Sequence, residues 1–372
     1  MKKKIFYKLY KDILVYFLLI LFILSSIVWL LQAVNYLDIV SEDGHSFITY
    51  FKYSFLNFPK IISKVFLLSF FLALFYVLKL YEENNQLLIY WANGVSKESF
   101  LAKLLFLSTI LIILSSLINL FLSPYTQDKA RSFIRNSDLS FFPSLLKQKT
   151  FIDTVEDLTI FIEKKENNSI SNVLLKDTKN QNRTQIIIAN DGNIFNTNDE
   201  KFLNLFKGKI INKNLNNTFT ILNFKESSFN LENFSTKTTT SAKIQELETL
   251  KLLECLLSLN NDYVKKFNNF NCSKDLKKNI HQELYKRLFS PIFIYLITIS
   301  TSFIILKSHA SNFYKKNIFQ VFSISIFFIV LSEISVSLIS LKFYFNILII
   351  LFTIITIISL YVFFKFKLKF IH

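Results

Sequence analysis

The chain has 372 residues but only four glycines, four prolines and two cysteines. Each scarcity removes a class of chemistry. A Walker-type nucleotide loop needs two glycines separated by four residues and followed by Lys and Ser or Thr, so that backbone N–H groups can close around a phosphate. Gly44, Gly94, Gly192 and Gly208 have no such spacing, so the chain carries no ATP site of that kind. The glycine fingerprint of a dinucleotide fold is excluded in the same way. Cys255 and Cys272 either pair or remain two small apolar thiols, because two cysteines alone fix no geometry.

Histidine is scarce too. His45, His281, His309 and His372 stand on different segments, whereas a metal site needs clustered ligands. They read as surface or interfacial residues. No grouping of Ser, His and Asp can be argued. The sequence therefore offers no catalytic, cofactor-binding or metal-binding residues, and an enzyme is not expected.

What is abundant is apolar material. Hydrophobic residues make up 51% of the chain and aromatic residues 16%, more than one soluble core of this size uses. They cluster in six runs, each long enough for a helix to cross a hydrocarbon layer of about 30 Å. These are Ile13 to Val34, Ile61 to Leu78, Leu104 to Ser123, Leu288 to Leu306, Ile318 to Leu341 and Phe343 to Phe364. The segment between the third and fourth runs is polar and must face water.

The formal net charge of +16 raises the question of nucleic acid. The chain has no zinc-finger spacing, no RNA-binding aromatic motif and no soluble basic helix, so a nucleic-acid partner is not expected. Part of the charge is compositional, because Lys is over-used along the whole chain, and part is topological. Lys2, Lys3, Lys4, Lys8, Lys11, Lys79, Lys97, Lys103, Lys307, Lys315, Lys316, Lys365, Lys367 and Lys369 collect at one set of span ends, while the opposite short loops hold only Lys52, Lys60 and Lys342. Asp38, Glu42 and Asp43 lie on that second side. Lysine-rich ends stay in the cytoplasm, so both termini are expected inside and the large middle segment outside. The apolar run near the N-terminus is too long for a cleaved signal and reads as a retained first span.

From Phe151 to Phe234, short runs of alternating apolar and polar residues predict half-buried strands. "LTIFIE" at 158–163, "NVLLKD" at 172–177, "TQIIIAN" at 184–190 and "FTILNF" at 219–224 are examples, with "NDGN" at 190–193 read as a turn between two strands. An antiparallel sandwich or jelly-roll-like sheet is the expected product. "SAKIQELETLKLLECLLSL" and "DLKKNIHQELYKRLFSP" then predict helices that return the chain to the membrane. The fold class is an α-helical polytopic membrane protein, three spans before and three after a periplasmic antiparallel β domain. The domains are 1–125, 126–284 and 285–372.

This arrangement, with three stretches of sequence, resembles the LptF/LptG family of lipopolysaccharide export permeases over nearly the whole length. The first stretch is "KLYEENNQLLIYWANGVSKESFLAKLL" at 79–105, similar to the family's coupling helix, and its form favours the LptF branch. The second, "KQKTFIDTVEDLTIFIEK" at 147–164, resembles the family's entry into its outer jelly roll. The third, "QELYKRLFSPIFIYL" at 282–296, is similar to the family's Glu-Leu-x-x-Arg signature.

The resemblance implies a bacterial inner-membrane permease subunit of an ABC transporter that extracts lipopolysaccharide and passes it to a periplasmic bridge. Its implied partners are a homologous six-span subunit, a cytoplasmic ATPase dimer that binds the ATP, and periplasmic jelly-roll proteins of the LptC/LptA kind. It also assigns a coupling helix at about 82–94, drawing on Glu82, Glu83, Gln86, Leu87, Leu88, Trp91 and Gly94. Asn84 or Asn85 is a candidate cap, Gly94 a stop, and Ser96 the cap of the next helix. Leu87, Leu88 and Trp91 are read as one apolar face, either docking into the ATPase or lying on headgroups. Gln86 stands where family members usually carry an acidic residue.

Lys60, Lys64, Lys286 and Arg287 project to the outer surface, either to pair with lipid phosphates or to snorkel at a helix end. Gln32 and Asn35 replace the basic residues that relatives place at the outer end of the first span. Glu333, an intramembrane carboxylate, either faces a cavity with Arg287 or Lys64 as partner or has no function. The LptG branch, or export of a different lipid, is the alternative reading. A membrane sensor or scaffold is a more distant one, disfavoured because no cytoplasmic segment is long enough to be an output domain.

Overall fold

The computed structural model describes residues 2–37, 47–136, 148–155, 157–166, 169–179, 183–196, 201–214, 218–230, 243–260, 266–267, 270–340 and 343–369. Asp38, Glu42, Asp43, Gly44, His45, Lys342 and His372 lie outside them. The chain divides into two compact units, one of Met1–Leu31, Leu56–Lys129 and Ala242–His372, the other of Gln32–Phe55 and Ala130–Ser241.

The helices, in chain order, are α1 (Lys2–Asn35), α2 (Phe47–Leu56), α3 (Phe58–Glu83), α4 (Gln86–Ala92), α5 (Lys97–Leu117) and α6 (Ser123–Asn136), then α7 (Thr249–Asn260), α8 (Lys277–Leu288), α9 (Phe293–Ser302), α10 (Tyr314–Leu338) and α11 (Phe343–Lys369). Among the described residues, six helical stretches are long and apolar enough to span a membrane, three before and three after the strands in sequence. The protein is thus a helical polytopic chain with a central β domain. The helices overrun the apolar runs at their lysine-rich ends. Lysine is a good helix former, and its long side chain reaches water from within the last turns.

In the first unit α9 is the centre. Nearly every side chain from Phe293 to Ser302 is buried, and α3, α5, α10 and α11 all pack on this helix. Such close approach needs small side chains, and their hydroxyls must find partners where no water reaches. Thr298 and Ser108 of α5 are 2.6 Å apart, and Ser300 and Ser325 of α10 are 2.8 Å apart. Each such pair contributes on the order of 0.6 kcal/mol. By contrast α1 and α11 keep most of their apolar surface outward.

Between α5 and α6 lies a single π-helical turn, Ile118–Leu122. Thr249 Oγ1 donates to the Leu120 carbonyl at 2.7 Å, satisfying one carbonyl of the widened turn. Cys255 and Cys272 are joined in a disulfide with their Cα atoms 5.9 Å apart, which removes the two-thiol alternative. The bond sits in a small apolar cluster with Leu252, Leu259, Ile280 and Leu284.

In the second unit six strands, β1 (Phe151–Val155), β2 (Leu158–Glu166), β3 (Ser169–Asp177), β4 (Arg183–Asn196), β5 (Lys201–Asn214) and β6 (Phe219–Asn230), form one antiparallel sheet in sequential order. The expected antiparallel sheet is present, and each strand pairs with the next. "NDGN" is not a turn. Residues 190–193 lie inside β4, where Asp191, Gly192 and Asn193 pair with Phe206, Leu205 and Asn204.

Those residues mark a different event. Four successive ladders each skip one pair on the same line: Glu163 with Asn172, Asn172 with Asn190, Asn190 with Lys207, and Lys207 with Lys225. Asn172 and Lys207 have left-handed backbones, with φ of 50° and 51°. A left-handed residue in a strand acts like a bulge, adding bend and reversing the alternation. The burial pattern follows. Leu175 and Val173 point inward on one side of the line and Ile170 on the other; Ile187 and Ala189 are matched by Gly192; Ile210 is matched by Leu205 and Leu203. Both halves thus turn into one apolar cluster.

Candidate functional site

The segment expected to form a coupling helix begins where α3 ends. Glu82 and Glu83 belong to α3, and α4 covers only Gln86–Ala92, shorter than the expected 82–94. Asn85 reverses the chain with a left-handed backbone at φ 56°, and Gly94 does so again at φ 69°. Asn85 is the N-cap residue of α4 but its side chain accepts no cap hydrogen bond, and Asn84 is the C-cap of α3. Ser96 does cap α5, its Oγ accepting from the Ser99 N–H at 3.1 Å.

The face of α4 differs from the one the sequence suggested. Leu87 is 1% exposed and belongs to the bundle core together with Tyr90. Trp91 is half-buried, its ring 5.6 Å from that of Phe100. The outward side chains are Leu88 and Ile89, at 59% and 52% exposure, flanked by Asn85 and Ala92. These positions follow i, i+3, i+4, i+7, so one stripe of the helix is apolar and uncovered. Helical spacing cannot tell which stripe meets the core. Leu87, Leu88 and Trp91 therefore do not share one face: Leu87 points into the bundle, Trp91 is half-buried and Leu88 is outward.

The carboxylates are divided as well. Glu82 is 9% exposed and accepts from the His309 backbone N–H at 3.0 Å, binding α3 to the loop before α10. Glu83 is more open and pairs with Lys79 at 3.6 Å. Gln86 is half-buried beside them. Tyr81 donates to Asp12 Oδ2 at 2.6 Å, so the same region is held to α1.

At the other end of the bundle, Lys60 is within electrostatic reach of Lys64 and Lys286, and also of Lys243 and Glu246. Three of the four candidate cations are thus brought together. Lys243, which sequence reasoning missed, joins them from the segment before α7; a lone lysine in a polar stretch carries no signal of its own. Arg287 does not belong with them. It is 2% exposed, paired with Glu283 at 2.9 Å, and it donates to the Leu247 carbonyl (2.9 Å), the Gln245 carbonyl (3.0 Å) and Thr249 Oγ1 (3.0 Å). With its donors engaged by the protein it is a pin between α8 and the start of α7, not a lipid contact. The i, i+4 spacing of Glu283 and Arg287 was the available signal.

Glu333 is exposed on α10 and makes no ion pair among the described residues. Its expected partner Arg287 is committed elsewhere. Among the described residues no hydrogen bond or ion pair joins Glu333 to the lysine group.

The family model described as "Lipopolysaccharide export system permease LptF/LptG" matches residues 8–365. The chain belongs to the LptF/LptG family. A relative from Rickettsia prowazekii (strain Madrid E), named "Uncharacterized protein RP871", is 25% identical over 232 residues, covering 61% of this chain and 63% of its own length. The match thus spans less than two thirds of that curated relative. The matched stretch runs through all six candidate spans, the β strands and α4. The Glu-Leu-x-x-Arg stretch supplies the ion pair between part-buried Glu283 and buried Arg287.

Proposed function

We propose that this chain is the permease subunit of an ABC transporter that lifts lipopolysaccharide from the inner membrane and delivers it to periplasmic jelly-roll proteins of the LptC/LptA kind. The observation that carries the reading is α4. A seven-residue helix at the lysine-rich end holds Leu87 and Tyr90 in the bundle and leaves Leu88 and Ile89 uncovered. Such an anchored helix with an open apolar stripe suits a groove on a soluble partner. The chain has no Walker-type loop of its own, so the energy must come from that partner, a dimeric ATPase.

The lysine-rich ends face the cytoplasm in this reading, and the β domain faces the periplasm. Lys60, Lys64, Lys243 and Lys286 then form the outer cationic group for lipid phosphates. The outward apolar faces of α1 and α10 suit a homologous six-span subunit, with Glu333 on that side of α10. The "KLYEEN" and "NGVSK" stretches support the LptF branch.

Co-purification tests it. A tagged chain extracted in mild detergent should bring down an ATPase and a second six-span protein, and Leu88→Asp with Ile89→Asp should release the ATPase while leaving the second subunit bound. Retained ATPase would sink the coupling assignment. Loss of retained lipopolysaccharide on replacing Lys60, Lys64 and Lys286 by Gln would support the outer cationic group, while retention of a different lipid would support the alternative cargo.

A further inference from the structure

A groove of about 540 Å³ opens at the lysine-rich end of the bundle, between the first turns of α1 and the first turns of α5. Its floor is apolar, formed by the buried Phe6 and Val95. Its rim carries Lys3, Tyr7, Ser99 and Lys103, all exposed, and no carboxylate lines it. Neither lysine has an ion-pair partner among the described residues. Tyr10 closes the back by donating its hydroxyl to the Lys103 carbonyl at 3.0 Å, which joins the two helices beneath the groove.

The outer wall identifies the medium. Phe106, which also lines the groove, is 60% exposed, and Ile110, Ile113 and Leu117 continue the same outward face of α5. With a rise of about 1.5 Å per residue, Phe106 lies roughly one turn deeper than Lys103. The groove therefore joins a cationic, hydroxyl-bearing rim to the outward apolar face of a candidate membrane-spanning helix, the combination of charge and apolar surface that a phospholipid presents in reverse. A soluble anion would use the rim and leave Phe106 bare.

We propose that this groove seats an anionic phospholipid, its phosphate held by Lys3 and Lys103 with the hydroxyls of Tyr7 and Ser99 beside it, and the start of an acyl chain against Phe106. The site lies at the opposite end of the bundle from the Lys60 group, so it is a place for a bilayer lipid that stays with the protein. It does not depend on what the protein transports.

The test uses the full-length chain purified from vesicles of phosphatidylcholine doped with phosphatidylglycerol, with retained lipid counted by native mass spectrometry. The wild-type chain should retain phosphatidylglycerol preferentially, and Lys3→Gln with Lys103→Gln should reduce that preference roughly tenfold. Lys315→Gln with Lys316→Gln, two exposed lysines at the same end of the bundle, should leave it unchanged. An equal loss in both double variants would show diffuse surface electrostatics and overturn the site. Phe106→Ala should weaken lipid retention, whereas displacement of phosphatidylglycerol by inorganic phosphate would identify a soluble-anion site and also overturn it. Neither lipopolysaccharide nor an ATPase enters the assay, so its failure is distinct from failure of the transport reading.

Discussion

Tyr90 donates its hydroxyl to the Ile5 carbonyl at 3.0 Å, joining α4 to the first turns of α1 across 85 residues of sequence. The Tyr90 ring also meets those of Phe6 and Phe100, at 5.4 and 5.2 Å. Force applied to α4 therefore reaches α1 directly, while Glu82 carries it to the loop before α10 through the His309 N–H.

Tyr90→Phe keeps both ring contacts and deletes the hydrogen bond, a loss of about 1 kcal/mol. A small drop in melting temperature is expected and, on the proposed transporter reading, ATPase binding retained with less lipid moved per ATP hydrolysed. Undiminished transport per ATP would show that the α1 connection carries no force.

Arg287→Gln leaves the part-buried Glu283 without its partner and three protein acceptors unserved. Losing the buried guanidinium with this ion pair and these hydrogen bonds costs about 3 kcal/mol. Lys286→Gln, one position earlier and more open, should cost no more than about 0.5 kcal/mol. Thermal unfolding in detergent separates the two, and equal melting temperatures would contradict the pin role of Arg287.

Gly208 sits beside the left-handed Lys207 on the bend of the sheet. A Cβ there would lie 2.3 Å from the Ile188 carbonyl oxygen and 2.4 Å from Phe224 Cζ. Because one obstacle is backbone, Gly208→Ala should cost at least about 1–3 kcal/mol. Lys207→Gly, at φ 51° and with an exposed side chain, should instead stabilise by up to about 1 kcal/mol. Hydrogen exchange of the β3 to β6 amides reads both, and faster exchange in Lys207→Gly would refute the strain argument.

Replacing Cys255 and Cys272 by Ser opens a loop whose ends are 17 residues apart in sequence. The expected loss is about 3 kcal/mol. Limited proteolysis should cut between the two positions faster in the variant, and the wild type treated with reductant should match it.

The spans were legible because a hydrocarbon layer imposes a length on apolar runs, and Ile61 to Leu78 stands out whatever its neighbours do. The strands were legible from period-two alternation. What sequence could not supply was direction. The helical wheel of α4 contains two apolar stripes, and only the packed bundle decides that Leu87 faces in and Leu88 out. The grouping of Lys60 with Lys243 spans 183 residues of chain and has no local pattern. "NDGN" has the composition of a turn because a bend in a sheet and a hairpin both call for residues that tolerate unusual backbone angles. The surviving clue was the odd separation between Ala189 and Gly192 on the buried side of β4.

That skipped line ties the lengths of neighbouring strands to one another. Deleting a single residue from β4 beyond Asn190 would swap interior for exterior along the rest of that strand while β3 and β5 kept their phase. The β domain can thus tolerate exchanges of side chain far more readily than a change in residue number, and any lengthening must occur in its hairpins.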